Sequence, residues 1–286
     1  MDEARIRLSP GRLLNGFLAE LLLAGILYGV ITMQFYMYTA RCGHDRRYIR
    51  TIVMVLWLLE TIHTGLIVRV TYYYTVVAIE DPSVLLQIDW SVGLVLWAEI
   101  CIVALVQSFY IRRIWILSEG WVLLTAIATF LFVSRIGFLS LSAYHMFRYP
   151  TWAAFQENAH SNVRPLADYL GVALSVAVDF VVASSMIYYL RHAMSSQEGR
   201  TSKMNGVLYS LMAYSLHSGL ATTGVSLAIA LTYAFLKGSL VYAGLAAIVS
   251  KLYTNSLLGM LNAREALRSR ISGTAVEINA DALERC

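Results

Sequence analysis

Charged residues are scarce in this sequence. They make up only 14% of the 286 residues, whereas a soluble domain keeps roughly a quarter of its residues charged. Hydrophobic residues reach 58%. Because there are too few polar residues to cover the surface of a protein in water, we expect a lipid bilayer to cover part of this chain. The net charge of +4 is modest and not clustered, which argues against a nucleic-acid partner.

Motifs that mark common enzyme classes are also missing. The six histidines are scattered without an H-x-x-x-H or H-E-x-x-H pair, so the sequence predicts no metal site. It contains no glycine-rich phosphate loop and no nucleophile elbow. The three cysteines, Cys42, Cys101 and Cys286, include no pair in the predicted outer loops. Nothing therefore argues for an enzyme, and a zinc-dependent or di-iron membrane enzyme is disfavoured.

Long apolar runs are abundant. A membrane helix needs about 20 mostly apolar residues to cross the hydrocarbon layer. The hydropathy pattern predicts seven such spans, near residues 13–39, 51–75, 91–114, 121–147, 166–190, 205–236 and 239–263. The predicted fold is therefore all-α, a polytopic seven-transmembrane-helix bundle. Its single membrane domain covers residues 13–270, between a short outer N-terminus (1–12) and a mobile cytosolic tail (271–286).

The orientation is predicted from lysine and arginine in the loops, because the richer side is cytoplasmic. Loops on one side carry thirteen of these residues, and loops on the other side carry six. The second loop, residues 76–90, has three acids and no base. We therefore expect the N-terminus outside and the C-terminus in the cytosol, with the plasma membrane favoured over an internal membrane.

Ionisable residues inside the predicted spans are the main candidates for function. A charge at the bilayer centre costs at least about 2.5–3.5 kcal/mol, so each should face protein or water and find a partner. Small residues accompany Lys251 and Asp179 at every fourth position, which predicts that both side chains point into the bundle. Glu60 and His63 share one helix face. The candidate ligand-binding or polar-network residues are Glu60, His63, Glu99, Arg135, Asp179, His217, Lys251 and Asn255.

A second group of candidates lies near the predicted cytoplasmic ends of the third and seventh spans. The end of the third span parallels a receptor motif but lacks the acidic residue before arginine, so an interfacial anchor explains it equally well. A cytosolic partner is one expectation for this face. Its candidate residues are Gln107, Arg112, Arg113, Trp115, Asn262 and Arg264.

Several segments together resemble an uncharacterised seven-span membrane family of mushroom-forming (basidiomycete) fungi, a domain of unknown function. The residues that carry the resemblance are Leu27-Tyr28-Gly29 with Gln34 and Tyr38, Glu60 with His63, Gln107-Ser108-Phe109 with Arg113-Ile114-Trp115, Gly199-Arg200-Thr201, and Lys251 to Leu258 with Leu261-Asn262-Ala263-Arg264. The resemblance implies the seven-span fold and a fungal membrane. It implies no activity.

Three interpretations of the buried charges remain open. They fix the helix arrangement in a purely structural bundle, or they line a small-ligand or signal site in a receptor-like bundle, or they form the path of a secondary transporter or proton-coupled carrier. Lys251 in the seventh span also invites comparison with retinal Schiff-base proteins, although an ion-paired lysine explains its position equally well. The receptor-like interpretation is our working hypothesis.

Overall fold

A computed structural model of the chain describes residues 10–41, 45–157, 163–195, 221–232, 235 and 244–264. The described chain is helical apart from short connections and one isolated bridge between Gln87 and Thr151. The predicted all-helical class is therefore confirmed. His217, most of the predicted sixth span and the tail from residue 271 lie outside the described residues.

The helices follow the apolar runs of the sequence. In chain order they are α1 (Pro10–Arg41), α2 (Arg47–Tyr72), α3 (Trp90–Leu117), α4 (Val122–Arg148), α5 (Trp152–Glu157), α6 (Val163–Ser195), α7 (Ala221–Thr232) and α8 (244–264). A π-helical turn, Tyr73–Val77, and a last turn, Ala78–Glu80, extend α2 beyond residue 75, where we predicted the second span to end.

Five helices in the described ranges are long and apolar enough to cross a membrane. They are Leu21–Arg41, Arg47–Glu80, Trp90–Leu117, Val122–Arg148 and Tyr169–Tyr189. The shorter α7 is also apolar. These helices indicate an integral membrane protein. The count of seven spans and the orientation stay predictions.

The bundle is built by neighbouring helices that pack side by side. α2 contacts α1 and α3, α4 contacts α3 and α6, and α6 also contacts α3. The buried apolar core draws on α1, α2, α3, α4, α6 and α8. At the junction of α3 and α4, Gly120 has a φ of +86°, a backbone conformation that glycine adopts without strain. Its N–H donates to the carbonyl of Trp115 in the last turn of α3, at 3.1 Å. This hydrogen bond caps the C-terminal end of the helix.

The opposite end of α3 is held by a connected loop. Tyr74, in the π-helical turn, donates to the carbonyl of Gln87 at 2.8 Å and accepts from the N–H of Asp89 at 3.2 Å. Asp89 caps α3 by accepting from the N–H of Ser91. The N–H of Ile88 donates to the carbonyl of Pro150 at 2.9 Å, which ties this loop to the segment that leads into α5.

Candidate functional site

The first polar cluster joins α2 to α8 around Lys251. The Lys251 ammonium lies 3.0 Å from Oε2 of Glu60 and donates to Oγ1 of Thr64 at 2.8 Å. Thr254 donates to the other Glu60 oxygen, Oε1, at 2.7 Å. Lys251 and Glu60 are both 0% exposed. Each charge is thus compensated inside the cluster. We use the name closed pair for the ion pair of Lys251 and Glu60 together with the two threonines that bond to it.

His63 borders the closed pair on α2. Its Nδ1 lies 4.0 Å from Oε2 of Glu60 and 3.4 Å from the hydroxyl of Ser250. Its Nε2 is buried without a hydrogen-bond partner. The i, i+3 spacing of Glu60 and His63 brings the two side chains onto one face of α2, against α8.

The second polar cluster lies around Asp179 of α6. Oδ1 of Asp179 accepts from Nε2 of Gln107 at 2.8 Å and from the hydroxyl of Tyr253. Oδ2 accepts from the hydroxyl of Ser226 on α7 at 3.1 Å. The carboxylate therefore connects α3, α6, α7 and α8 at one point of the bundle.

Arg135 of α4 completes this cluster. Its Nη1 lies 3.8 Å from Oδ1 of Asp179 and donates to the Tyr253 hydroxyl at 3.3 Å. Its Nε is buried and has no hydrogen-bond partner. Both charged residues are 3% exposed. We name Gln107, Arg135, Asp179, Ser226 and Tyr253 the arginine cluster.

The arginine cluster borders a cavity of about 190 Å³. Helices α3, α4, α6, α7 and α8 line it, together with Phe155 of α5. Its apolar lining residues are Val92, Val95, Leu96, Leu139, Met146, Phe155, Val172, Ile229, Ala246, Ala247 and Val249. Its polar lining residues are Glu99, Arg135, Ser142, Ser175 and Ser226.

The cavity lies towards one end of the bundle. Val92 and Val172 lie near the first residues of α3 and α6, and Met146 lies near the last residues of α4. All three helix ends are predicted to lie outside. Glu99 and Arg135 line the cavity deeper along their helices, beside the arginine cluster. The cavity thus combines apolar walls with a charged inner end.

Contacts from the middle of α8 to its last residue tie this helix to α1 and to the loop before α2. Asn255 donates to the carbonyl of Leu27 at 3.2 Å, and Asn262 donates to the carbonyl of Gln34 at 2.9 Å. Arg264 makes a two-pronged ion pair with Asp45, at 2.6 Å to each oxygen. These contacts hold α8 in a fixed position along α1.

The ends of α3 and α8 hold the remaining cytoplasmic-face candidates. Arg112 donates to the hydroxyl of Tyr48 at 2.9 Å, and Arg113 lies against the sulfur of Met260. Trp115 is 42% exposed. Gln107 differs from this group, because it is buried and bonded to Asp179 in the arginine cluster.

The structure distributes the sequence candidates between two sites. Glu60, His63 and Lys251 meet in and beside the closed pair, whereas Arg135 and Asp179 meet in the arginine cluster with Glu99 nearby. Lys251 does not line the cavity; its ammonium is held by Glu60 and Thr64. No group of three histidine, cysteine or acidic side chains suited to a metal ion occurs among the described residues.

Sequence reasoning missed the residues that join the candidates. Tyr253 contacts three members of the arginine cluster, and Ser226 anchors α7 to it. A tyrosine two positions after a buried lysine, within a segment of small and polar residues, was the available signal. Ser226 offered none, because serine is common in membrane helices.

Comparison with known proteins gives one match. A family described as a family of unknown function (DUF6534) matches residues 175–266, which include Asp179, Ser226, Lys251 and Tyr253. No curated protein and no solved structure matches the chain. The match agrees with the resemblance to an uncharacterised family.

Proposed function

We propose that the protein is a receptor-like seven-helix membrane protein that binds a small ligand in the cavity beside the arginine cluster. The observation that carries the proposal is the apolar cavity with a buried arginine at its inner end. Ligand sites in proteins are concave and mostly apolar, with a few polar groups that fix orientation. The count of seven rests on the hydropathy pattern and on the resemblance to a seven-span family, and the outer N-terminus rests on the lysine and arginine residues of the loops.

The one-sided position of the cavity favours a receptor over a transporter. A carrier needs a path that opens to each side in turn. Below the arginine cluster the bundle is filled by Ile114, Leu257 and Leu261, which are all buried in the main core. Tyr110 and Ser256 also bond to each other there at 2.7 Å, joining α3 to α8. Among the described residues, this packing separates the cavity from the predicted cytoplasmic end of the bundle.

Helix α8 supplies the connection that a receptor requires. It contributes Ala247 and Val249 to the cavity, Tyr253 to the arginine cluster and Arg264 to the ion pair at the other end. A ligand that shifts Tyr253 therefore acts on a helix that reaches the predicted cytoplasmic face. There the exposed side chains of Arg112 and Trp115 are available to a cytosolic partner.

The experiment is to identify small molecules that co-purify with the full-length protein, by mass spectrometry of an organic extract. Leu96→Trp fills the cavity, because Leu96 lines it. Leu94→Trp is the matched control: Leu94 lies one half-turn away on the same helix, is 37% exposed and does not line the cavity.

We expect a stoichiometric molecule in the wild type and in Leu94→Trp, and its loss in Leu96→Trp. An identical background of bilayer lipids in all three proteins would contradict the proposal.

A further inference from the structure

The size of the cavity limits its occupant, if the proposed function holds. The cavity measures about 190 Å³. A dry engineered cavity of about 150 Å³ holds benzene, so this one suits a molecule on the order of ten non-hydrogen atoms. Drug-sized ligands occupy pockets of about 300–1,000 Å³. The part of a ligand that this cavity holds is therefore a small compound or a group of that size.

The walls favour an apolar body. Eleven of the sixteen lining residues are apolar. Three of the other five are serines whose hydroxyl protons are already used: Ser142 donates to the carbonyl of Phe138, Ser175 to that of Gly171, and Ser226 to Asp179. These hydroxyls therefore offer no free donor to a ligand.

Arg135 is the donor with capacity to spare. A guanidinium carries five N–H donors. Within the described part of the chain, Arg135 makes one hydrogen bond, from Nη1 to Tyr253, and its Nε is buried without a partner. Because Arg135 also lines the cavity, an acceptor oxygen of a ligand can take one of its unused N–H groups, and leaving such a buried donor unmet costs about 1–3 kcal/mol.

The charges beside Arg135 disfavour an ionic ligand. Asp179 lies 3.8 Å from the guanidinium and compensates its charge. An anion bound at Arg135 would meet the Asp179 carboxylate, and a cation there would meet the guanidinium. Because burying an uncompensated charge is costly, a neutral ligand is favoured.

We propose that the cavity binds a small neutral compound with an apolar body and one acceptor oxygen, such as a medium-chain ketone, aldehyde or ester, with the oxygen bonded to Arg135. This proposal rests on the proposed function, since both place the ligand in the same cavity. It adds the chemical class of the ligand.

The test is binding of three eight-carbon probes to the full-length protein in lipid nanodiscs: 2-octanone, n-octane and octanoate. Dissociation constants are measured by ligand-observed NMR, with empty nanodiscs correcting for partition into lipid. We expect 2-octanone to bind at least tenfold more tightly than either other probe, with Leu96→Trp abolishing binding and Leu94→Trp preserving it. Arg135→Lys keeps the charge but replaces the planar fork of N–H donors with a shorter ammonium group, and should weaken the preference for the ketone over octane.

Two results would overturn the assignment of the ligand class. One is binding of octanoate or octane that equals or exceeds binding of the ketone. The other is no binding of any probe. Neither result removes the proposed function, which fails only when Leu96→Trp and the wild type retain the same co-purifying molecules.

Discussion

Two buried ion pairs of this protein contact helix α8, one through Lys251 itself and the other through Tyr253, and they differ in their surroundings. In the closed pair, Lys251 and Glu60 are 3.0 Å apart, Lys251 also donates to Thr64, and Glu60 also accepts from Thr254. In the arginine cluster, Arg135 and Asp179 are 3.8 Å apart, Tyr253 bridges them, and Nε of Arg135 has no partner. Only the arginine cluster borders the cavity.

This difference separates a structural role from a binding role. A directly bonded pair that does not line the cavity holds α2 against α8. An arginine with unused donors that lines the cavity has capacity to bind a ligand. We therefore propose a stabilising role for the closed pair and a binding role for the arginine cluster, and each substitution below tests that division.

The largest expected effect is that of Lys251→Met. It leaves the Glu60 carboxylate buried without its counter-charge, which costs about 3–5 kcal/mol. We expect a large fall in Tm in detergent. The double variant Glu60→Gln with Lys251→Met removes both charges and should recover a substantial part of the loss. A single variant as stable as the wild type would show that the pair does not hold the bundle.

Tyr253→Phe should have the next largest effect. The ring remains, but the hydroxyl that contacts Arg135 and Asp179 is lost. Leaving these buried partners short of one bond costs about 1–3 kcal/mol. The measurement is again Tm, with 2-octanone affinity as a second readout. We expect both to fall, whereas Lys251→Met should change the affinity of the protein that remains folded by less than about twofold.

Asp179→Asn should change ligand preference more than stability. Asparagine keeps an acceptor for Gln107 and Tyr253 but removes the negative charge beside Arg135. The cavity then tolerates an anion, and we expect octanoate affinity to rise about tenfold, the equivalent of about 1.4 kcal/mol. Titration of the purified variant with octanoate checks this, and an unchanged octanoate affinity would show that the charge of Asp179 does not set the preference.

The smallest effect is expected for Arg264→Gln. Its ion pair with Asp45 lies at the predicted cytoplasmic end, with the arginine side chain 36% exposed. Partly exposed pairs of this kind contribute about 0.2–1 kcal/mol. The change in Tm should be near the limit of detection and should shrink further in high salt. A fall as large as that of Lys251→Met would mean that this end of α8 governs stability instead.

Hydropathy and helical periodicity were sufficient for part of this arrangement. Membrane helices could be predicted because a long apolar run in lipid must satisfy its backbone polar groups internally, as a helix does. Glu60 and His63 could be placed on one helix face from their spacing. Which acid forms an ion pair with which base could not be predicted. Whether Lys251 pairs with Glu60 or with Asp179 depends on which helices are neighbours and on how each helix is rotated, and the sequence of a single span determines neither.

Gln107 shows the same limit on a single helix. Sequence proximity grouped it with Arg112 and Arg113 at the cytoplasmic end. Five residues correspond to about 7.5 Å along a helix, which is enough to bring Gln107 into the interior. Its partner, Asp179, is 72 positions away in the chain. Its position inside the bundle therefore depends on the contact between α3 and α6.

The most direct test of the division compares the reactivity of two buried serines after each is replaced by cysteine. In a background with Cys42, Cys101 and Cys286 replaced by alanine, Ser175→Cys reports on the cavity and Ser250→Cys on the surroundings of the closed pair. The measurement is the rate of modification by methyl methanethiosulfonate. We predict rapid reaction at position 175, slowed by 2-octanone, and little reaction at position 250. Equal rates at the two positions would contradict the account.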